Sequence, residues 1–310
     1  MIWGQGTAAA VDIGSNSVRL LVVDADLEDL HRESNVTGLA RGVDAGGVIS
    51  DEAIAETVDV ITRYAAIIER HGVEVVGAVA TSASRDAANG PRVMERLSEA
   101  LGVEPMIIDG RKEASLAFAG ATSHLAGSHE RIVIDIGGGS TEIIEGVDDV
   151  SWAHSYDIGS VRITDRHLTA KPSSAEAVSR AEQDARAVFA EPRAPGASDA
   201  EAIGVAGSFA NLAAIALGLP EYDSAAVHGS VLTRSQVSEL IDRFTGLSLE
   251  ELRAVPAMHP KRAPVMLGGA IVARASMDAV GAPHVVVSAH GLLDGLARDL
   301  MRSRCLMSDV

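Results

Sequence analysis

The sequence predicts an α/β protein built from two copies of one domain, and three observations carry that prediction. The stretch "VDIGSNSVRLLVVD", residues 11–24, reads as a strand, a small-residue turn and a second strand, with Asp12 at the bend. "VIDIGGGSTEIIE", residues 133–145, repeats the design 123 positions later, counted from Asp12 to Asp135. After each hairpin, short apolar runs alternate with segments of helical periodicity, which is the pattern of an α/β sheet. A chain of 310 residues suits two domains of ordinary size. A period this long marks a duplicated domain rather than a solenoid.

Each element follows from local chemistry. A third strand is expected at 33–38. A helix is expected at 50–72: Ser50 caps it, Asp51 and Glu52 occupy the first turn, and Ile54, Val58, Ile61, Ala65 and Ile68 form one apolar stripe. Strands at 75–80 and 106–108 then alternate with helices at 91–101 and 112–122, so the first half reads βββαβαβα. The order restarts at Arg131, with strands at 132–136, 141–145, 150–156, 202–206 and 285–288. Helices are expected at 174–188, 209–217, 234–244 and 264–279, with a last one from Leu292. "TSHLAGSHER", residues 122–131, separates the copies, giving domains 1–126 and 127–310. "EPRAPGASDAE", residues 191–201, reads as a surface loop of the second.

Composition narrows the partners. The net charge of −17 argues against general attraction to nucleic acid or to an anionic membrane. The single cysteine, Cys305, can form no internal disulfide, and "MIWGQGTAAA" lacks the charged and apolar blocks of an export signal. A cytoplasmic protein is expected. The longest uncharged stretch, 202–220, contains Gly204, Gly207, Ser208, Asn211 and Gly218, which suit a buried strand, a tight turn and a helix better than a membrane span.

The hairpin loops have the chemistry of phosphate cradles. Glycine and serine let the backbone turn several N–H groups toward one point, and this concave arrangement takes an anion. The candidates are Gly14, Ser15, Asn16 and Ser17 in the first loop and Gly137, Gly138, Gly139, Ser140 and Thr141 in the second. Asp12 and Asp135 are hard oxygen ligands, suited with phosphate oxygens to Mg²⁺. Arg19 and Glu142 each stand seven residues after their aspartate, so one position carries opposite charges: Arg19 would hold phosphate and Glu142 would help hold metal or its water. A Gly-rich β-turn explains either hairpin alone. Two, with aspartate in register, point to function. Other phosphate motifs fit worse: a P-loop needs a Gly-Lys-Ser/Thr ending and no lysine precedes Lys112, and a dinucleotide fingerprint needs a helix where Thr141, Ile143 and Ile144 favour a strand. Arg85 ends "VATSASR" after another strand, where it could grip phosphate through two parallel hydrogen bonds or pair with Asp86.

Five segments in order, "DIGSNSVRLLV", "ATSASRDAANG" (80–90), "GRKEASLAFAG" (110–120), "DIGGGSTEI" and "GVAGS" (204–208), resemble the motifs of the exopolyphosphatase and guanosine pentaphosphate phosphohydrolase family. The resemblance spans about residues 8–298. It implies two ribonuclease H-like (actin-like) domains, each a mixed five-stranded sheet with flanking helices, an active-site cleft between them, and a terminal helix at about 290–303 returning to the first domain. It also implies Mg²⁺-dependent removal of terminal phosphate, with Mn²⁺ as a substitute metal and Glu113 as the general base. Gly207 and Ser208 lie in the segment that touches nucleotide phosphates in this superfamily. A homodimer is compatible with the sequence.

Three positions depart from the family pattern. Lys112 stands where the residue before the glutamate is often acidic, and Leu293 and Asp294 stand where an arginine and a glutamate are common. The sequence also stops after the two-domain core, which argues against processive attack on very long chains. Residues 252–277 hold Arg253, Lys261, Arg262 and Arg274 and no acid, so Lys261 and Arg262 could guide a long polyanion or form a solvated face. His259 reads as structural. Polyphosphate and guanosine pentaphosphate end in the same phosphoanhydride and are equal candidates. A kinase of the same superfamily needing a small acceptor, and a non-catalytic phosphate sensor, are the rival readings.

Overall fold

A computed structural model describes residues 6–123, 125, 129–192, 196 and 200–308, with side chains to residue 303. The Cys305 side chain and parts of 122–131 and 191–201 lie outside the described residues. The chain divides into two compact units, Met1–Ser123 with Leu292–Val310, and His124–Gly291.

The first unit is a five-stranded mixed sheet. Strands β1 (Ala8–Ile13), β2 (Ser17–Val23) and β3 (Asp29–Val36) form an antiparallel meander, β4 (Val75–Ala80) pairs parallel to β1, and β5 (Met106–Ile107) pairs parallel to β4, in the order β3-β2-β1-β4-β5. β1 is buried along its whole length, as a central strand covered on both faces must be. Helix Asp51–Arg70 forms as its sequence dictates: the Ser50 side chain accepts from Ala53 N at 3.2 Å, and Ile54, Ile61, Tyr64 and Ile68 are buried. β3 begins earlier than expected, at Asp29, because its exposed edge alternates charged residues with no apolar run to announce it.

The terminal helix Leu292–Ser308 packs on β1 and on helix Gly110–Thr122. Gly295 permits the close approach, since a Cβ there would lie 2.0 Å from Leu116 O. Two of the family departures lie in this contact. Asp294 accepts from Arg32 Nη2 at 2.5 Å, and Arg32 also binds Asp29 at 2.6 Å; these carboxylates raise the Arg32 pKa against the effect of burial. Lys112 Nζ reaches Asp299 at 2.7 Å.

The second unit repeats the scheme with β6 (Arg131–Ile136), β7 (Thr141–Gly146), β8 (Val150–Tyr156), β9 (Glu201–Val205) and β11 (His284–Val287). A sixth strand beyond the five expected, β10 (Val231–Thr233), pairs antiparallel to β11, giving the order β10-β11-β9-β6-β7-β8. Its core gathers Ile132, Ile134, Ile143, Phe209, Leu212, Phe244 and the helix Met266–Val280. Residues 263–280 are the one segment among the described residues long and apolar enough to cross a membrane, and 78% of it is buried inside the fold, as a core helix requires. Residues 202–220 form β9 and helix Ala206–Ala216 instead.

Candidate functional site

In the first unit the β1–β2 turn is closed by Gly14 N donating to Ser17 O at 3.1 Å. The carbonyls of Ser15 and Asn16 accept from Ala40 N (2.7 Å), Thr37 N (3.1 Å) and Gly38 N (3.0 Å). In a planar trans peptide the N–H is antiparallel to the C=O, so the N–H groups of Asn16 and Ser17 face the opposite way. The Ser15 hydroxyl is engaged internally: it bonds Ser82 Oγ at 2.8 Å and accepts from Ala83 N at 3.1 Å, tying the turn to helix Ser82–Asp86. Asp12 is directly opposite Arg19 across the strands, with Arg19 Nη1 3.7 Å from Oδ2. Its Oδ1 is buried and makes no hydrogen bond. Burial raises the Asp12 pKa, and the attraction of Arg19 only partly offsets it.

Glu113 sits in the first turn of helix Gly110–Thr122, after the cap in which Asp109 Oδ1 accepts from Lys112 N at 2.8 Å. Its side chain is 9% exposed and lies 3.8 Å from Arg85 Nη1. That same Nη1 donates to Ile108 O at 2.9 Å, and Arg85 Nε is 3.8 Å from Asp86. Arg85 thus reaches Asp86, the partner considered from the sequence, and also Glu113, and Ile108 O holds it at the end of the parallel strands, where open α/β sheets place ligands.

The second hairpin has the same closure, Gly137 N to Ser140 O at 3.0 Å, but a different support. Helix Ser160–His167, absent from the sequence reading, points its first N–H groups at the loop: Ser160 N reaches Gly137 O at 3.0 Å, and Val161 N and Arg162 N reach Gly138 O at 2.8 and 3.1 Å. Arg162 Nε adds a bond to Gly139 O at 2.7 Å. Carbonyls 137, 138 and 139 therefore face the helix, and the N–H groups of Gly138, Gly139 and Ser140 face away from it, as an anion cradle needs. Gly159 allows this approach, because a Cβ there would stand 2.5 Å from Gly138 O. The Thr141 hydroxyl donates to Ile158 O at 2.6 Å and so helps hold the loop. "DIGSVR" was the available signal, a small residue and a serine opening a short helix just after the third strand.

Asp135 and Glu142 are cross-strand partners and are both buried, 8% and 1% exposed. Ser155 on β8, in register with Glu142, donates to its Oε1 at 2.6 Å. Among the described residues no three His, Cys, Asp or Glu side chains gather as a ready metal cage. The two adjacent buried carboxylates of the second unit fit Mg²⁺, which keeps several waters and takes one or two carboxylates with phosphate oxygens, and in the first unit the unbonded Asp12 Oδ1 is an oxygen of the same chemical type.

The "GVAGS" segment opens helix Ala206–Ala216, and the Arg262 guanidinium lies on its Gly207: a Cβ there would fall 1.9 Å from Nη1. Ser208 is buried. Lys261 is exposed, and Arg274 pairs with Glu182, so the basic stretch divides into separate roles. Burial and the charges of Arg262 and Lys261 lower the His259 pKa, and His259 Nδ1 accepts from Lys261 N at 3.2 Å.

Two Asp-bearing hairpins with turns shaped to cradle an anion, each on its own mixed sheet, and a buried Glu113 paired with the accessible Arg85 define a phosphate-handling α/β protein. The sequence profile of the Ppx/GppA phosphatase family matches residues 19–304. Exopolyphosphatase 2 of Mycobacterium tuberculosis is 38% identical, over 94% of this chain and 98% of its own. Exopolyphosphatase 1 of Mycobacterium bovis is 32% identical, over 92% and 86%. The crystal structure of an exopolyphosphatase-like protein superposes with a TM-score of 0.91 at 35% identity, covering 97% of this chain and 99% of that one. The Aquifex aeolicus PPX-GPPA enzyme gives 0.77 at 30%, covering 94% and 98%. The chain belongs to the Ppx/GppA phosphatase family.

Proposed function

We propose that this family phosphatase is a Mg²⁺-dependent phosphohydrolase that removes terminal phosphate from inorganic polyphosphate, guanosine pentaphosphate or both. The observation that carries the reading is the 38% identity, nearly end to end, to a protein named exopolyphosphatase. In this scheme the N–H groups of Asn16 and Ser17 in the first turn and of Gly138, Gly139 and Ser140 in the second, with Arg19 and Arg85, bind the phosphate oxygens. Asp12, Asp135 and Glu142 are the residues assigned to Mg²⁺, which when bound neutralises the charge of the transferring phosphoryl group. Gly207, Ser208 and Arg262 address the remainder of the polyanion, with Lys261 on its path.

Glu113 orients water and takes its proton as the water oxygen bonds to the terminal phosphorus. The bridging P–O bond breaks, its electron pair leaves on the bridging oxygen of the shortened chain, and the attacked phosphorus is released as orthophosphate. Arg85 positions the glutamate. Phosphoryl transfer of this kind needs placement and charge neutralisation but no protein nucleophile. The proposed location is cytoplasmic, with neither nucleic acid nor membrane as partner.

The test is phosphate release from short polyphosphate, long polyphosphate and guanosine pentaphosphate, each also measured with ATP and sugar or carboxylate acceptors. Release without an acceptor is expected. Product that forms only with an acceptor would replace hydrolysis by a kinase reaction, and binding without turnover would leave a sensor.

A further inference from the structure

The transverse row through the second hairpin runs on from β6 and β7 to β8. Asp135 faces Glu142 across β6 and β7, and Glu142 faces Ser155 across β7 and β8. Residues in register on neighbouring strands project from the same face, so the three side chains stand side by side. Like charges directly opposite in a ladder are unfavourable, and here both carboxylates are buried. A site of this kind needs its carboxylates held still. Ser155 Oγ to Glu142 Oε1 is 2.6 Å, within the range of a charge-assisted O–H···O⁻ bond.

We propose that Ser155 is a positioning residue that fixes the Glu142 carboxylate for a divalent cation. The inference rests on the reading of Glu142 as a metal ligand. A hydroxyl serves better here than a cation, because it orients the carboxylate without neutralising it. Bonds of this type to ligating carboxylates change metal affinity when removed. The first unit offers an internal contrast. There the equivalent row is Asp12, Arg19 and Ser34, and a guanidinium stands where the second unit has Glu142.

The experiment is Mn²⁺ binding to the full chain with inorganic phosphate present, followed by electron paramagnetic resonance, together with melting of the metal-free proteins. Ser155→Ala should weaken Mn²⁺ about 10-fold or more with little change in melting temperature, and Ser155→Thr should restore affinity. Glu142→Gln should weaken it at least as much. If Glu142→Gln binds weakly but Ser155→Ala binds like wild type, Ser155 has no positioning role, although the metal reading stands. If Glu142→Gln itself binds like wild type, that reading fails and the inference with it. A Ser155→Ala protein that melts lower and is not rescued by threonine would make the serine a strap between β7 and β8 only.

Discussion

The two hairpins share a closure and differ in what stands behind them and beside them. Gly14 N to Ser17 O and Gly137 N to Ser140 O close both turns at nearly one distance, 3.1 and 3.0 Å. The first turn's carbonyls are held by the Thr37–Ala40 backbone, and the second's by the N-terminus of helix Ser160–His167. One residue changes the chemistry of the row: Asp12 faces a cation and Asp135 faces a second carboxylate. The rows Asp12–Arg19–Ser34 and Asp135–Glu142–Ser155 differ in residue type only at the middle position. On the proposed reading, the first hairpin grips phosphate while the second holds metal.

The comparison breaks outright if a hairpin residue, rather than Glu113, moves the proton. Glu113→Gln should lower turnover by about 10²- to 10⁴-fold while substrate binding persists, as equilibrium binding and phosphate release together would report. Full activity would remove Glu113 from its role. Arg19→Ala comes next, with kcat/KM on short polyphosphate falling about 10- to 100-fold, the effect of losing a hydrogen bond to a charged group. An unchanged value would leave the first hairpin without its grip.

The different supports make a further contrast. Gly159→Ala places a methyl against Gly138 O and should destabilise the second unit by about 1–3 kcal/mol, visible in thermal melting, with activity reduced as the loop moves. A protein melting like wild type would show that the loop tolerates displacement.

The smallest effect concerns Asp12. Its pKa is raised in the folded protein, so the folded state holds this proton more tightly than the unfolded chain, and stability declines as pH rises from the ordinary value of 3.8 through the folded one. Asp12→Asn removes that cost. Without metal at neutral pH, it should melt at a higher temperature than the wild type. The gain should vanish below pH 3.8, where Asp12 is protonated in both states. A loss of stability at neutral pH would mean that the carboxylate is favourable where it sits.

The hairpins were legible because glycine, serine and an acid recur in register, and helix Asp51–Arg70 because its cap and stripe are local. The strand β10 was not, since three residues carry no period. Helix Ser160–His167 was hidden by its shortness, though it supports the second loop. Ser155 lies 13 residues from Glu142, and only the β7–β8 register makes them neighbours. The partners of Lys112 and Asp294, Asp299 and Arg32, lie 187 and 262 positions away, so these family departures became packing contacts only in three dimensions.

The proposed division of labour between Arg19 and Glu142 is tested most directly by the Mg²⁺ dependence of phosphate release. Glu142→Gln should raise the Mg²⁺ needed for half-maximal rate by about 10-fold or more, while Arg19→Ala raises KM and leaves that requirement near the wild-type value. Equal shifts in both variants, or a shift in Arg19→Ala alone, would contradict it.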